Sequence, residues 1–220
     1  MRLTDIRMFS GDDLKIRGVM DDNINFVAET QLKNRERWEK LVEPFITKED
    51  SDGFWRGEFF GKEMRGAALI YQYTKDEKLY EILTEAVEKI LAAQDENGRI
   101  STYSEASEFN GWDMWCRKYV MTGLQHYYRI CRDVKFKKDI LSALSKHADY
   151  IISKIGNGEG KKKITETSSW WGCVNSCTIL EPMLELYKET GEKRYFEFAK
   201  YIISTCLLYT SPSPRDRQKS

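Results

Sequence analysis

Hydrophobic residues recur along much of this chain at three- and four-residue spacing, which places them on one face of an α-helix. The pattern is clearest at 79–94, 136–152 and 195–203, and no strand-like alternation of useful length lies between these stretches. A further helix is predicted from about Asp21 to Val42, ended by Pro44. The pattern therefore predicts an all-α chain.

Three segments of the chain align without gaps, and each begins with a tryptophan. They occupy 55–74, 112–131 and 171–190, so the repeat spacing is 57 and then 59 residues. Two columns of the alignment recur, a tyrosine and a small or kinked residue suited to close packing: Tyr71, Tyr128 and Tyr187, and Gly66, Gly123 and Pro182. A short polar turn follows each segment, with Gly191 in the last one, and a second helical pattern follows each turn.

The repeating unit is thus an αα-hairpin of nearly sixty residues. Tetratricopeptide units of about 34 residues and HEAT or armadillo units of about 40–47 are too short to match. The long connections, 95–111 and 156–170, lie between hairpins and precede a tryptophan, and long loops at one end of a repeat are usually functional. This arrangement predicts a partial (α/α)6 toroid, with inner helices around a central pocket and loops at one rim.

The end of the chain departs from this pattern. Residues 206–216 read CLLYTSPSPRD and are followed by RQKS, and they resemble the translation of a transposase sequencing adapter over eleven residues. Three hairpins would form half of a six-hairpin ring and leave an apolar edge open, because each repeat buries its face on the next. We therefore expect 1–205 to be the N-terminal part of a truncated domain and 206–220 to be a non-native tail.

Charge and cysteine content exclude several classes of function. Lysine plus arginine and aspartate plus glutamate both number 35, so net charge gives no case for binding nucleic acid or acidic membranes. The N-terminus has no apolar run of signal-peptide length, and no segment is long enough to span a membrane. The five irregularly spaced cysteines are typical of reduced thiols, which makes the cytoplasm the expected compartment.

Aromatic residues give the main indication of a site. They make up 13% of the chain, and helix N-termini beside the repeated tryptophans would present free N–H groups at one mouth. Aromatic faces with a few convergent polar groups are typical of carbohydrate sites. The candidate substrate-binding residues are Trp55, Trp112, Asp113, Arg117, Trp171 and Asn175. The alternative is that the tryptophans only staple each loop to its helix, although the pairs Trp112/Trp115 and Trp170/Trp171 favour a pocket.

Metal ligands are sparse in this sequence. Cys173 and Cys177 are one helical turn apart, but a metal site needs more ligands, and the only histidines, His126 and His147, lie well inside helical patterns. Buried packing is the usual role of such thiols, so no metal is predicted in this stretch.

Carboxylates near the predicted mouth do not form a recognisable catalytic pair. The candidates are Glu58, Asp113 and Glu166, and none stands out over its neighbours. Two carboxylates flanking the scissile bond are the standard glycosidase arrangement, and because these residues give no such pair, we assign no catalytic residue here.

Several stretches resemble a known family. GWDMWCRKYVMTGLQHYYRICRD is similar to a stretch of the β-L-arabinofuranosidases of glycoside hydrolase family 127, in which a W-x-x-W-x-R-K-Y run leads into a G-L-x-x-Y-Y helix. LELYKETGEKRYFEFAKYI resembles the family pattern L-Y-x-x-T-G-x-x-x-Y-x-x-x-A, and the hairpin from FWRGEFF to the AAQDENGRISTY loop resembles the preceding one. The similarity runs from about Gly53 to Ser204.

The resemblance implies an (α/α)6 catalytic barrel followed by β-sandwich domains. It implies a retaining glycosidase that acts on non-reducing-end arabinofuranosides or related sugars of plant and microbial glycans. It also implies a cysteine nucleophile on zinc and a glutamate acid/base, all beyond Thr205, so neither catalytic residues nor a cofactor are expected in this fragment. Relatives that bind arabinofuranose place histidines near the starts of the inner helices, where this chain reads MWCRKY and CVNSC. Arg117 or Asn175 would then serve a different sugar.

Two alternatives remain open. Another toroid enzyme, such as an unsaturated-uronide hydrolase or a sugar epimerase, would require a catalytic aspartate on an inner helix, for which Asp113 is the candidate, or a set of central histidines. A non-catalytic helical-repeat module would instead bind a protein partner on an exposed aromatic face. The sequence leaves the sugar, the linkage and the oligomeric state undetermined.

Overall fold

The computed structural model describes residues 11–50, 55, 57–169 and 173–205, and within these ranges it contains helices and no strand. The helices are α1 (Val19–Val27), α2 (Arg35–Thr47), α3 (Glu58–Thr74), α4 (Glu77–Ala92), α5 (Asp113–Ile130), α6 (Val134–Lys154), α7 (Val174–Cys177), α8 (Leu180–Thr190) and α9 (Lys193–Thr205). Short 3-10 turns lie at Gly11–Asp13 and Ile164–Glu166. The all-α prediction and the hairpin repeat are confirmed.

The hairpins are α3–α4, α5–α6 and α7/α8–α9, and their first helices run parallel. α3 and α5 are in close contact because Gly61 lies directly against the backbone of Tyr119, and Gly123 lies against Gly61. The third hairpin is joined to the second by Gln125 on α5, which donates from Nε2 to the Pro182 carbonyl of α8 at 2.8 Å. The first helices of the hairpins therefore lie side by side as one layer, which we call the inner layer of the arc of hairpins. Their N-termini lie at the same end of this layer.

An aromatic pair closes each hairpin across its turn. The ring centroids of Tyr71 and Tyr80 are 5.1 Å apart, those of Tyr127 and Phe136 are 6.1 Å apart, and those of Tyr187 and Phe196 are 5.2 Å apart. The partners are nine residues apart in every hairpin. In the second hairpin the pairing residue is Tyr127, one position before the tyrosine that the sequence alignment selects.

Conventional caps define the turns. The side chains of Asp76 and Asp133 accept hydrogen bonds from the N–H groups of Leu79 and Phe136, both at 2.8 Å, and so begin α4 and α6. Gly191 ends α8 in the left-handed conformation with φ of 72°, as its position in the sequence predicts.

The single helix predicted from Asp21 to Val42 is wrong, because the structure forms two helices there. α1 continues into a π-helical turn, Ala28–Leu32, and Asn34 then starts α2 by accepting from the Arg37 N–H at 3.2 Å. Pro44 does not end the helix, which continues to Thr47 because Phe45 is buried against the edge of Phe60. The burial of that ring offsets the hydrogen bond that proline removes.

The third inner helix is also interrupted. The segment predicted as one helix from 171 forms α7, a turn at Thr178 and Ile179, and then α8. Pro182 lies in the first turn of α8, where its missing N–H has no cost. The prediction of close packing holds for Gly123 and is wrong for Gly66, which faces open space. Residues 170–172 and 206–220 lie outside the described residues, so the boundary at Thr205 stays a prediction.

Candidate functional site

The connections that precede the inner helices meet at one end of the arc, and we call this end the rim. The first rim loop joins α2 to α3, and its described residues, 48–50, 55 and 57, are tied to the second rim loop, 95–111. Lys48 forms an ion pair with Asp95. The carboxylate of Asp50 accepts hydrogen bonds from the N–H of Ser104 at 3.1 Å and from the hydroxyl of Ser107 at 3.1 Å. The second loop is thus held against the first by charge and by hydrogen bonds.

The third rim loop, 155–169, is tied to the second in a similar way. Lys162 donates from Nζ to the Phe109 carbonyl at 2.8 Å. Asn175, at the start of α7, donates from Nδ2 to the Ser168 hydroxyl at 3.1 Å and to the Gly111 carbonyl at 3.4 Å. Only 2% of Asn175 is exposed. This predicted site residue therefore joins two loops beneath the rim surface.

A buried ion-pair cluster organises the second loop. Asp113 accepts from the Ser101 hydroxyl and the Phe109 N–H, both at 2.7 Å, and from Arg117 Nε at 2.9 Å. Arg117 also donates to Glu108 at 2.9 Å, and its guanidinium lies 4.4 Å from the centroid of the Phe109 ring. Neither side chain of the Asp113–Arg117 pair is exposed. The geometry gives these two predicted site residues a structural role, and their contact with substrate stays a prediction.

Two further groups complete this cluster. Arg99 binds both Asp95 and Glu108, at 2.9 and 3.0 Å. The Tyr150 hydroxyl donates to Glu108 at 2.7 Å, and burial, followed by this carboxylate, raises the pKa of Tyr150. Since the charges compensate one another, the loop is held rigidly although few of its polar groups reach solvent.

Next to this cluster, at the N-termini of α3 and α5, lies an open pocket of about 470 Å³. Four aromatic residues and one ion pair line this pocket: Trp55, Phe59, Trp112, Trp115, Glu58 and Lys62. Trp55 is 57% exposed, and the rings of Trp112 and Trp115 meet edge to face with centroids 6.1 Å apart. The pocket thus presents one exposed ring, Trp55, beside three half-buried ones, Phe59, Trp112 and Trp115.

The structure brings together Trp55 and Trp112 of the predicted site residues, and Trp171 lies outside the described residues. Sequence reasoning missed Lys62, which forms an ion pair with Glu58 and lies 5.9 Å from the centroid of the Trp115 ring. The i,i+4 spacing of this pair just after a repeated tryptophan was the available signal. Glu166 caps its own turn by accepting from the Lys163 N–H at 3.2 Å and does not line the pocket.

The cysteines of the described chain serve in packing. The Cys173 thiol has two acceptors for its one proton within 2.6 Å, the carbonyls of Thr165 and Ser168, and Cys116 donates to the Trp55 carbonyl at 3.2 Å. The described ranges contain no group of three or more residues able to hold a metal ion. These residues therefore do not fit a zinc centre. In the same ranges, no helix is long and apolar enough to cross a membrane.

Both histidines are held in the neutral form. His147 is fully buried and accepts from the Ile100 N–H at 3.0 Å, and burial, followed by Arg117 and Arg99, lowers its pKa well below 6.5. Burial, followed by Arg129 and Arg65, lowers the pKa of His126 to about 4.

The stability of the folded chain is expected to fall as pH decreases from about 6.5 towards 4. Below the histidine pKa of about 6.5 the unfolded chain binds protons that the folded chain excludes, so each histidine contributes a slope of up to about 1.4 kcal/mol per pH unit. Urea unfolding at pH 7, 6 and 5 tests this, with His126→Gln and His147→Gln as variants that remove one titrating group each. A wild-type dependence no steeper than that of either variant would contradict it.

Comparison with known proteins shows which family this chain resembles in sequence and in fold. The family model described as the β-L-arabinofuranosidase GH127 catalytic domain matches residues 16–220. The crystal structure of Ara127N-Se, a GH127 β-L-arabinofuranosidase from Geobacillus stearothermophilus T6, has a TM-score of 0.63 and 21% identity, and the match covers 86% of this chain and 32% of that one. The GH127 β-arabinofuranosidase BT3674 has a TM-score of 0.66 and 18% identity, with coverage of 89% and 33%.

The chain spans about a third of the length of these two solved structures. A search of the curated proteins found no match. Because the family model covers most of the chain, this protein belongs to the GH127 catalytic-domain family.

Proposed function

We propose that this chain is the N-terminal part of a glycoside hydrolase catalytic domain and that its aromatic pocket holds part of the sugar substrate. One observation carries the proposal: the pocket of Trp55, Phe59, Trp112 and Trp115 lies where the inner helices of a GH127 chain begin. Aromatic rings offer wide apolar faces to the C–H groups of a sugar, and the Glu58–Lys62 pair offers an acceptor and donors to its hydroxyls.

The neighbouring residues keep these rings in place. Trp112 donates its backbone N–H to the Tyr103 hydroxyl at 3.1 Å, and the carbonyl of Trp55 accepts from Cys116. Asp113 and Arg117 hold the second rim loop through buried contacts, so in this proposal they help to position the pocket. Preorganisation of this kind lowers the entropic cost of binding.

The names of the two solved relatives support a proposal for the substrate class. Both solved structures bear names of arabinofuranosidases, and we propose non-reducing-end arabinofuranosides or related glycans as substrates, hydrolysed with retention. The catalytic acid, the nucleophile and the zinc ion would be supplied by the part of the domain beyond Thr205. The described residues would contribute binding and orientation only.

The buried position of Asp113 bears on one alternative. An unsaturated-uronide hydrolase would need this aspartate at the substrate, but its carboxylate is fully buried and receives three hydrogen bonds from the protein. The geometry therefore favours the arabinofuranosidase-like proposal over that alternative.

Replacement of Trp55 or Trp112 by alanine is expected to weaken binding of methyl β-L-arabinofuranoside by about two- to twelvefold. Loss of one aromatic face removes about 0.5–1.5 kcal/mol of contact energy. Ligand-observed NMR titration of the full 220-residue chain measures the affinity. Phe26→Ala is the matched control, because Phe26 is an aromatic residue of similar exposure, 59%, on α1 and outside the pocket. A chain that binds no glycoside, or equal losses in all three variants, would contradict the proposal.

A further inference from the structure

The charged side chains that line the pocket lie on one turn of α3. Glu58 and Lys62 form an i,i+4 ion pair, and their side chains are 10% and 42% exposed. The Lys62 ammonium lies 4.9 Å from the centroid of the Tyr119 ring, on the inner layer next to Trp115. Lys62 is therefore open to a ligand, while its charge is already balanced by a carboxylate.

The next lysine on the inner layer is balanced in the same way. Lys118 lies 4.1 Å from the centroid of the Tyr119 ring and 3.2 Å from the carboxylate of Glu181. Tyr119 is thus flanked by two ammonium groups, each with its own carboxylate. Among the lining residues that the structure describes, the formal charges sum to zero, and Arg65 lies about one turn further along α3, outside the lining set.

From this arrangement we infer that the pocket selects neutral sugars over uronic acids, with Glu58 and Lys62 as the specificity-determining residues. Adjacent hydroxyls of a neutral sugar donate to Glu58 and accept from Lys62 while the ion pair stays balanced. The carboxylate of a uronate would compete with Glu58 for Lys62 and would lie beside a like charge. The inference rests on the proposed function, because it assigns a substrate class to the same pocket.

A pair of matched glycosides tests the selection. Methyl β-L-arabinofuranoside and its uronic acid, oxidised from CH2OH to carboxylate at C5, differ in that one group. Titration of the full chain with each at pH 7 by ligand-observed NMR is expected to show uronate binding weaker by about tenfold or more, because the uronate carboxylate would lie beside Glu58. Equal affinity, or tighter binding of the uronate, would overturn the inference.

Variants of the pair separate specificity from general binding. Glu58→Gln leaves Lys62 without its carboxylate, so the preference for the neutral glycoside is expected to disappear or reverse. Lys62→Met keeps an apolar stem beside Trp115 but removes the donor. The affinity for the neutral glycoside is therefore expected to fall, and the affinity for the uronate is not expected to rise above that of the wild type. An unchanged affinity ratio in Glu58→Gln would overturn the assignment of these residues.

The control pair has the same spacing elsewhere in the chain. Glu36 and Lys40 form an exposed i,i+4 ion pair on α2, away from the pocket, so Glu36→Gln and Lys40→Met should leave the ratio unchanged. Arg56→Met is included because Arg56 adjoins Trp55 in sequence and lies outside the described residues. A change in Arg56→Met as large as in Glu58→Gln would move the selectivity to Arg56 and overturn the assignment.

The outcomes also separate this inference from the proposed function. Binding of both glycosides with equal affinity, lost on Trp55→Ala, would overturn the selection and leave the sugar pocket intact. Binding of neither glycoside would overturn both the selection and the proposed function.

Discussion

Replacement of Asp113 by alanine is expected to destabilise the chain by about 3–5 kcal/mol, a large part of the about 5–15 kcal/mol that stabilises a typical domain. The change leaves Arg117 with a buried charge, and Arg117 Nη1 already has no hydrogen-bond partner in the described chain. It also removes the acceptor of the Ser101 hydroxyl and of the Phe109 N–H, both buried. Urea unfolding monitored by circular dichroism measures the loss.

Asp139→Ala provides the control for this change. Asp139 is exposed on α6, so its replacement should alter stability by less than about 0.5 kcal/mol. The double variant Asp113→Ala/Arg117→Met is expected to be more stable than Asp113→Ala alone, because it no longer buries a guanidinium that has lost one of its two carboxylate partners and keeps only Glu108. Equal unfolding midpoints for Asp113→Ala and the wild type would show that the cluster does not stabilise the second rim loop.

Replacement of Gly61 by alanine is expected to cost about 3 kcal/mol or more, at the upper end of the range for overpacked cores. A Cβ atom at Gly61 would lie 1.9 Å from the carbonyl oxygen of Tyr119 and 2.8 Å from the Val120 nitrogen. These are backbone atoms of α5, so they cannot rotate away, and α3 and α5 must separate along their length.

Gly66→Ala is the matched control on the same helix. Nothing lies within 4 Å of a Cβ at Gly66, so alanine there should stabilise α3 by up to about 1 kcal/mol through its helix propensity. Thermal unfolding of both variants tests the contrast. Equal stability of Gly61→Ala and Gly66→Ala would contradict the close approach of α3 to α5 at Gly61.

Part of the site was accessible from the sequence. The repeated tryptophans predicted a pocket at the starts of the inner helices, and Trp55 and Trp112 line one pocket there, while their role in binding a sugar stays a prediction. Lys62 escaped notice because a lysine on a helix is usually solvated, and only the position of Trp115 and Tyr119 shows that this one faces the pocket.

The sequence by itself determined the local structure of the hairpins. Hydrophobic spacing of three and four residues, the caps Asp76 and Asp133, and Gly191 act over a few neighbouring residues, so their effects can be read from the chain. The length of the repeat determined the architecture, because units of nearly sixty residues leave long connections at one end.

Only the tertiary structure decided which polar residues are buried and which face the pocket. Asp113 and Arg117 were predicted as substrate-binding residues at the rim, but both are buried by contacts with Glu108 and Ser101, which reach them from the preceding loop. The break of the first predicted helix depends likewise on packing, since burial of Phe45 keeps α2 helical through Pro44. Contacts between distant segments settle such choices, because the free energy of burying a charge or a ring depends on what surrounds it.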